Sequence, residues 1–356
     1  MDLMVIEGDG IGPEIIKSAL EVLNVLKENF NINLDPVLYD INSRNIANGK
    51  WKIEKILELA NKHKAILKAP VGDPKIRNEY STEVGIDAVL ILRFKLDLYA
   101  NIRPVKLLPG IQSCLRNYNE EGSIDYTIIR ENSEGLYSSH FGGIRLRNEV
   151  AIDVQTITRK GTERIAKVAY EFARKTNGRP KDGKKVVTVV DKSNVLKSFA
   201  FFREVIKEVA KNYPDIEIEY LYADATAQEM VLRPNRFNVI VTENMFGDIL
   251  SDLAAATVGG LGVAYSANIS DNQGMFEPVH GTAPDIAGKD IANPIAMLLS
   301  TCLMLDFLGY NKESKFVENS ILNLLRKGIK TPDLGGKYST SNFTKELINE
   351  ILNHKD

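Results

Sequence analysis

"LMVIEGDGIGPEIIKSALEVLNVLKENF", residues 3–30, runs from a short apolar strand pattern through a glycine-rich turn into an amphipathic helix pattern. Pro13 suits the first helical position, where the N–H it lacks would have no partner anyway. The glycines stand at 8, 10 and 12, which is not the G-x-G-x-x-G spacing, so the dinucleotide fingerprint fails at the place where it would be expected. A tight strand-to-helix turn accounts for the glycines equally well. The fold therefore begins as α/β without the signature of a Rossmann nucleotide loop.

The same strand-then-helix rhythm returns along the chain. "KAILKAP" (64–70) is a short apolar run; "KKVVTVVDKSN" (184–194) leads into "VLKSFAFFREVIKEVAKNY" (195–213), and "FNVIVTEN" (237–244) into "MFGDILSDLAAATV" (245–258). Alternation of this kind predicts an α/β fold with a largely parallel sheet. Ligands collect at the carboxyl ends of such strands. Polar residues cluster there: Glu7 and Asp9, then Asp191, Lys192 and Asn194, then Glu243 and Asn244.

Composition narrows the partners. The 356 residues suggest about two domains. A formal net charge of -2 gives no general electrostatic reason to bind nucleic acid or an anionic membrane. Cys114 and Cys302 are far apart and form no CxxC, which argues against a disulfide framework or thiolate metal site and fits a reducing cytoplasm. No run approaches the roughly 18 apolar residues of a membrane span, and no secretory leader pattern opens the chain, so a soluble, unprocessed protein is expected.

Within "TENMFGDILSDLAAATVGGLG" (242–262), Asp248 and Asp252 stand four apart on one face of the expected helix. Like charges at that spacing repel by a few tenths of a kcal/mol, about 0.2–0.5. Either the face is simply solvated, or the pair holds a divalent cation. Arg93 and Arg103 in "LRFKLDLYANIRP", and Arg130 ending "DYTIIR", are surface caps or a clamp for carboxylates, which a planar guanidinium grips with two parallel hydrogen bonds. Lys192 at a strand end and Tyr137 in "RENSEGLYSSHFGG" have the chemistry of a general base and acid, or are an exposed lysine and a packed tyrosine. His280, in the Gly- and Pro-rich "FEPVHGTAPD", is a loop histidine or a ligand contact.

Six stretches, in order and in register, carry a resemblance: "GDGIGPE", "LDLYANIRP", "RENSEGLY", "DKSNVL", "TENMFGDILSD" and "FEPVHGTAPDIAGKDIANP". The chain resembles the β-decarboxylating dehydrogenases of the isocitrate/isopropylmalate dehydrogenase family from residue 7 to about 336. The resemblance implies an isopropylmalate dehydrogenase-like fold of two α/β domains that is not a true Rossmann fold. One domain would be discontinuous, 1–101 plus 258–356, and the other central, 102–257, with an arm at 131–160 offered to a second copy in a homodimer. It implies Arg93, Arg103 and Arg130 as the carboxylate clamp, Tyr137 as the acid, and Lys192 as a base supplied across the dimer. Asp248 and Asp252 would bind Mg²⁺ or Mn²⁺ together with Asp224 of the neighbouring copy. Family members place the adenosine ribose beside the stretch after "VHGTAP". Asp285 there would accept from ribose hydroxyls and repel a 2′-phosphate, which implies NAD. His280 and Asn293 would line the adenine, with Gly281 and Asn194 as further cofactor contacts.

Relatives differ in the third substituent of a malate core, read by "STEVGIDAVLILR" (81–93). From Asn78 to Leu92 there is no Lys or Arg, while Glu83 and Asp87 add negative charge, so a third carboxylate, as in isocitrate or homoisocitrate, is disfavoured. Val89 and Leu90 would suit an isopropyl group or would pack in the domain core. "DKSNVL" has the form common among isopropylmalate enzymes, whereas "ENSEG" is nearer the malate, tartrate and isocitrate branches. The expectation is 3-isopropylmalate, in leucine biosynthesis, with D-malate as the alternative. A noncatalytic paralogue is disfavoured because Tyr137, Lys192, Asp224, Asp248 and Asp252 are all present. The loop "APVGDPKIRNEY" (69–80) is expected near the nicotinamide.

Overall fold

The computed structural model describes residues 1–78 and 82–354; Glu79 and Tyr80 of the expected nicotinamide loop, and Ser81 of the substrate-reading stretch, lie outside the described residues. Two compact units share the chain, Met1–Leu98 with Leu108–Ile111 and Gly259–Asp356, and Tyr99–Leu107 with Gln112–Val258. The first crossing falls at Leu98/Tyr99, not after residue 101, because the Tyr99 carbonyl already accepts the Asn132 N–H of the second unit at 2.9 Å. Residues 108–111 return to the first unit, where the Lys330 ammonium donates to the Gly110 carbonyl at 2.9 Å.

In chain order the first unit opens with β1 (Asp2–Ile6), α1 (Gly12–Phe30), β2 (Asp35–Tyr39), α2 (Ser43–Ala47), α3 (Ile53–Ala60), β3 (Ala65–Lys68) and α4 (Val84–Lys95). The second unit holds β4 (Ala100–Lys106), β5 (Asp125–Glu131), β6 (Ile144–Leu146), β7 (Val150–Ile152), α5 (Arg159–Lys175), β8 (Val186–Asp191), α6 (Lys197–Ala210), β9 (Glu217–Tyr222), α7 (Ala223–Leu232), β10 (Val239–Thr242) and α8 (Asn244–Thr257). The chain returns to the first unit with β11 (Tyr265–Ile269), β12 (Gly274–Pro278), α9 (Ile295–Leu308), α10 (Asn311–Arg326) and α11 (Thr340–Asn353).

Strands of the first unit lie in the order β2-β1-β3-β12-β11, and those of the second in the order β4-β5-β10-β8-β9. Neither is the strand order of the Rossmann fold. Within these two sets, pairing is parallel except for β4 with β5 and β11 with β12. Parallel strands covered on both faces read as unbroken apolar runs. That is why β3, β8 and β10 are buried at every residue.

Helix α1 starts with Pro13 and Glu14 in its first turn, carries Lys27 in its last, and stops at Asn31 in the left-handed conformation. Its buried stripe, Ile15, Ile16, Ala19, Val22, Leu23 and Leu26, recurs at helical spacing. Helix α9 is apolar all round and correspondingly buried along most of its length. In the second unit, Phe199 of α6 stacks on Phe246 of α8 with ring centroids 5.0 Å apart. Such a pair contributes about 0.5–1.5 kcal/mol beyond its buried area. It also fixes α8, which carries the aspartates described next, against α6. Among the described residues no helix is long and apolar enough to cross a membrane.

Candidate active site

A charged constellation grows from α8. Glu243 caps the helix, its carboxylate accepting from the Met245 and Phe246 N–H groups at 3.1 and 2.7 Å. Gly247, Leu250, Ser251, Ala254 and Ala255 turn inward, which leaves Asp248 and Asp252 together on a neighbouring face. Gly247 is required here: a Cβ at that position would lie 2.5 Å from the Arg130 side chain. Arg130 thus lies across the helix at close range.

Strands β4 and β5 aim two arginines at this face. Their register pairs Asn101 with Arg130 and Arg103 with Ile128, so both arginines project from the same side of the sheet. Arg130 is 1% exposed; its Nη1 donates to Asp248 Oδ1 at 2.5 Å, while Nε and Nη2 share Asn244 Oδ1 at 3.0 and 2.7 Å. Arg103 donates to Asn101 Oδ1 at 2.7 Å and Ser251 Oγ at 2.5 Å, and reaches Asp248 and Asp252 more loosely at 3.3 and 3.4 Å. Burial raises the Asp252 carboxyl above its ordinary range, with Arg103 opposing and the Asp248 charge adding to the rise.

Tyr137 completes the group from a short 3-10 turn, Leu136–Phe141, its hydroxyl donating to Asp248 Oδ2 at 3.1 Å. Burial, then the Asp248 charge, raises the phenol pKa, so Tyr137 keeps its proton. The rest of "RENSEGLY" builds the turn. Glu131 accepts from the Ser133 and Glu134 N–H groups, and Glu134 accepts from the Thr158 N–H at 2.8 Å. Both carboxylates are spent within the second unit, which is a structural reason for "ENSEG" to be uninformative about substrate.

Lys192 follows β8 and pairs with Asp224 of α7, Nζ to Oδ1 2.7 Å; the Lys192 hydrogen bond and charge hold the Asp224 carboxyl below its usual range. Asn194 is exposed in the same turn. Among the described residues no three His, Cys, Asp or Glu groups stand close enough to hold a metal ion, so Asp224 does not join the Asp248–Asp252 pair within one chain. The donors present are all oxygen, on adjacent helix turns, with the Asp252 side chain 59% exposed. Such a pair fits a hard cation that keeps several waters, as Mg²⁺ or Mn²⁺ would.

In the first unit the "GDGIG" turn is a latch. Gly8 and Gly10 adopt φ of 74° and 59°, and a Cβ on Gly10 would lie 1.9 Å from the Thr282 carbonyl oxygen. The Ile11 N–H donates to that carbonyl at 2.9 Å, and Glu14 accepts the Gly288 N–H. Asp9 accepts from the Ser43 and Gly72 N–H groups, both at 2.9 Å. The turn therefore ties three loops together, a role that its glycine spacing did not disclose. A cleft of about 430 Å³ beside it is lined by Gly8, Asp9, Gly10, Arg44, Gly72 and Thr282 among others.

The cofactor-side residues separate in this unit. His280 contacts the Gly281 carbonyl through Nδ1 at 3.0 Å, while its Nε2 is buried without a hydrogen-bond partner. Burial lowers its pKa and keeps the ring neutral. An orphaned imidazole nitrogen fits an adenine contact. Gly281 and Asp285 are exposed on the same loop. Asn293 is 7% exposed and committed internally, Oδ1 to the Ile295 N–H at 3.0 Å and Nδ2 to Asp333 at 2.9 Å, which makes it a brace for the loop.

Arg93 lies in a buried triad. Its Nη2 meets Glu277 Oε1 at 2.8 Å, and Lys68 Nζ meets Oε2 at 2.6 Å. Burial alone would raise the Glu277 carboxyl, but Lys68 and Arg93 outweigh it and hold it far below the carboxylate range. Val89 packs against the core of Met4, Ile6, Ile41 and Leu92, whereas Leu90 is half-buried and Ile86 is exposed one turn earlier on α4. Lys68, Glu277, Asn244, Gly247 and Ser251 escaped the sequence reading; only Asn244 had a signal, as a polar residue at a strand end.

Residues 2–351 match the family model for isocitrate/isopropylmalate dehydrogenase. A 3-isopropylmalate dehydrogenase of Archaeoglobus fulgidus is 41% identical, covering 97% of this chain and 98% of the relative. Two relatives from Methanocaldococcus jannaschii have different names at nearly the same distance. One is a 3-isopropylmalate/3-methylmalate dehydrogenase at 42%, covering 98% of each chain, and the other a homoisocitrate dehydrogenase at 40%, covering 99% and 98%. Among solved structures, isocitrate dehydrogenase from Methylococcus capsulatus superposes with a TM-score of 0.86 at 32% identity, covering 98% of this chain and 99% of that one.

Proposed function

The chain belongs to the isocitrate/isopropylmalate dehydrogenase family, and we propose that it uses NAD and Mg²⁺ or Mn²⁺ to convert 3-isopropylmalate to 2-oxoisocaproate as a homodimer. As a member of that family it is an oxidative decarboxylating dehydrogenase. The observation that carries the cation-assisted chemistry is the convergence of Arg103, Arg130 and the Tyr137 hydroxyl on the Asp248–Asp252 face, and the choice of 3-isopropylmalate is supported by relatives of that name at about 40% identity. When bound, the dinucleotide would accept hydride from C2 of the substrate, and the cation would polarise the hydroxyl and later the keto oxygen.

The chain's own groups would do the rest. Arg103 and Arg130 would orient substrate carboxylate through their N–H forks. Lys192 Nζ would take the hydroxyl proton as C2 is oxidised, and Tyr137 Oη would return a proton to the carbon that CO₂ leaves. Arg93 keeps its proposed place in the clamp from the resemblance, with Glu277 pairing one of its guanidinium nitrogens. His280, with Gly281, Asp285 and Asn194, would line the dinucleotide; Asn293 would support that loop from beneath.

Assembly as a homodimer is supported by apolar side chains exposed in the second unit. Ile144, Leu146, Val150, Ile152 and Val154 surround the β6–β7 hairpin, and Ile249 of α8 is 58% exposed between the two aspartates. Such a face is what a twofold partner would cover.

Initial-rate kcat/KM with NAD and Mn²⁺ on 3-isopropylmalate, D-malate and homoisocitrate tests the substrate. We expect a preference of about tenfold or more for isopropylmalate, near 1.4 kcal/mol of transition-state binding. Preference for homoisocitrate would overturn the reading. A broader specificity for short 3-alkylmalates has one observation in its favour: Val89 packs inward, which leaves Leu90 with less apolar company for an isopropyl group.

A further inference from the structure

Two arginines of the second unit have closely similar surroundings, and only one adjoins Lys192. Arg174 of α5 forks onto Asp215 at 3.0 and 2.8 Å and lies over the Tyr213 ring at 4.6 Å. Arg203 of α6 forks onto Asp191 at 2.7 and 2.9 Å and lies over the rings of Tyr220 and Tyr222 at 5.0 and 5.3 Å. The acceptors differ. The Asp215 side chain is half exposed, whereas Asp191 ends β8 with no exposure at all.

The Asp191 carboxylate also accepts the Ser193 N–H at 2.8 Å, so the residue after Lys192 is fastened to the buried anion that precedes it. The Lys192 carbonyl in turn accepts the Val195 and Leu196 N–H groups at 3.0 and 3.1 Å. Lys192 Nζ lies 5.9 Å from the centre of the Tyr222 ring, the same ring that carries Arg203. A buried carboxylate left without its cation is strongly unfavourable. The turn therefore keeps this shape only while Arg203 holds Asp191.

We propose that Arg203, acting through Asp191 and Tyr222, is the positioning residue for Lys192, setting where its amine stands at the end of β8. This inference rests on Lys192 serving as the base. Displacement of a reacting group by about 1 Å costs on the order of 100-fold in rate.

Initial rates with NAD, Mn²⁺ and 3-isopropylmalate, together with urea unfolding, on Arg203→Gln, Lys192→Met, their double variant and Arg174→Gln test it. Arg203→Gln is expected to lower kcat about 30- to 100-fold with the KM for NAD within about twofold of wild type, and Arg174→Gln to leave kcat unchanged with a smaller loss of stability, because Asp215 stays solvated. In the Lys192→Met background, adding Arg203→Gln should cost no further rate, because its effect passes through the lysine. An equal loss in both backgrounds, or a kcat loss matched by Arg174→Gln, overturns the proposal. If Lys192→Met itself turns over normally, the base assignment fails, and this is seen separately from Arg203. Should Arg203→Gln not fold, Tyr222→Leu carries the same cycle at an exposed ring: a kcat loss that vanishes beside Lys192→Met supports the proposal, and an additive loss overturns it.

Discussion

Two of the clusters that pair arginine with carboxylate are built oppositely. Around Glu277 the first unit encloses two cations and one anion, with the Lys68 and Glu277 side chains 3% and 8% exposed. Around Asp248 the second unit sets two buried arginines against two carboxylates whose side chains are 37% and 59% exposed. The closed cluster spends its anion on its own protein. The open one leaves oxygen donors at the surface, where a ligand can compete for them. Burial, more than residue type, separates a structural ion pair from a site that chemistry can enter.

Five substitutions would break or sharpen this contrast. Asp248→Asn should lower kcat/KM by about 1,000-fold, roughly 4 kcal/mol of transition-state binding, while the urea midpoint barely moves. A large stability loss with little kinetic change would make the open cluster merely another brace. Glu277→Gln should be felt chiefly in stability, a loss of about 3 kcal/mol as buried Lys68 and the largely covered Arg93 lose their counter-charge; denaturant unfolding reads it directly.

Third is Glu131, buried at the end of β5: its carboxyl is pushed up to about 7 by burial despite the donors of Ser133 and Glu134. Its folded pKa lies above the unfolded value near 4.3, so its stabilising contribution is complete below that value and is lost as pH rises through 7. Glu131→Gln should therefore flatten the fall in stability between about pH 5 and 8, an effect of at most about 3 kcal/mol. Glu277, held low, acts with the opposite sign: its contribution is present above the unfolded value and is lost only as pH falls. The smallest effect divides neighbours on α4. Leu90→Ala should cost about tenfold in preference for isopropylmalate over D-malate, whereas Val89→Ala should lower stability and leave that ratio alone.

Parallel strands were easy to recognise because covering both faces demands unbroken apolar runs, and the chemistry followed at their ends. Asp248 and Asp252 were legible for a geometric reason: helix periodicity alone puts i and i+4 together. The face of Val89 was not legible, since α4 carries apolar residues nearly all round and its period points nowhere. The bracing bonds of Asn293 were hidden for a different reason. Its partners are Ile295 and, forty residues on, Asp333, and no local pattern announces a bond of that span. The latch at Gly8 and Gly10 was half visible: its positive φ angles follow from glycine, but its partner at Thr282 lies some 270 residues away.

Arg103 and Arg130 meet the very carboxylates proposed for the cation. Whatever draws Asp248 and Asp252 away from the arginines frees guanidinium N–H groups for an incoming anion, and an anion that occupies the arginines loosens their hold on the aspartates. By thermodynamic reciprocity the two ligands then favour each other by the same factor in either order of addition. The apparent affinity for Mn²⁺, measured by titration, should rise with the concentration of substrate, and to the same degree in reverse.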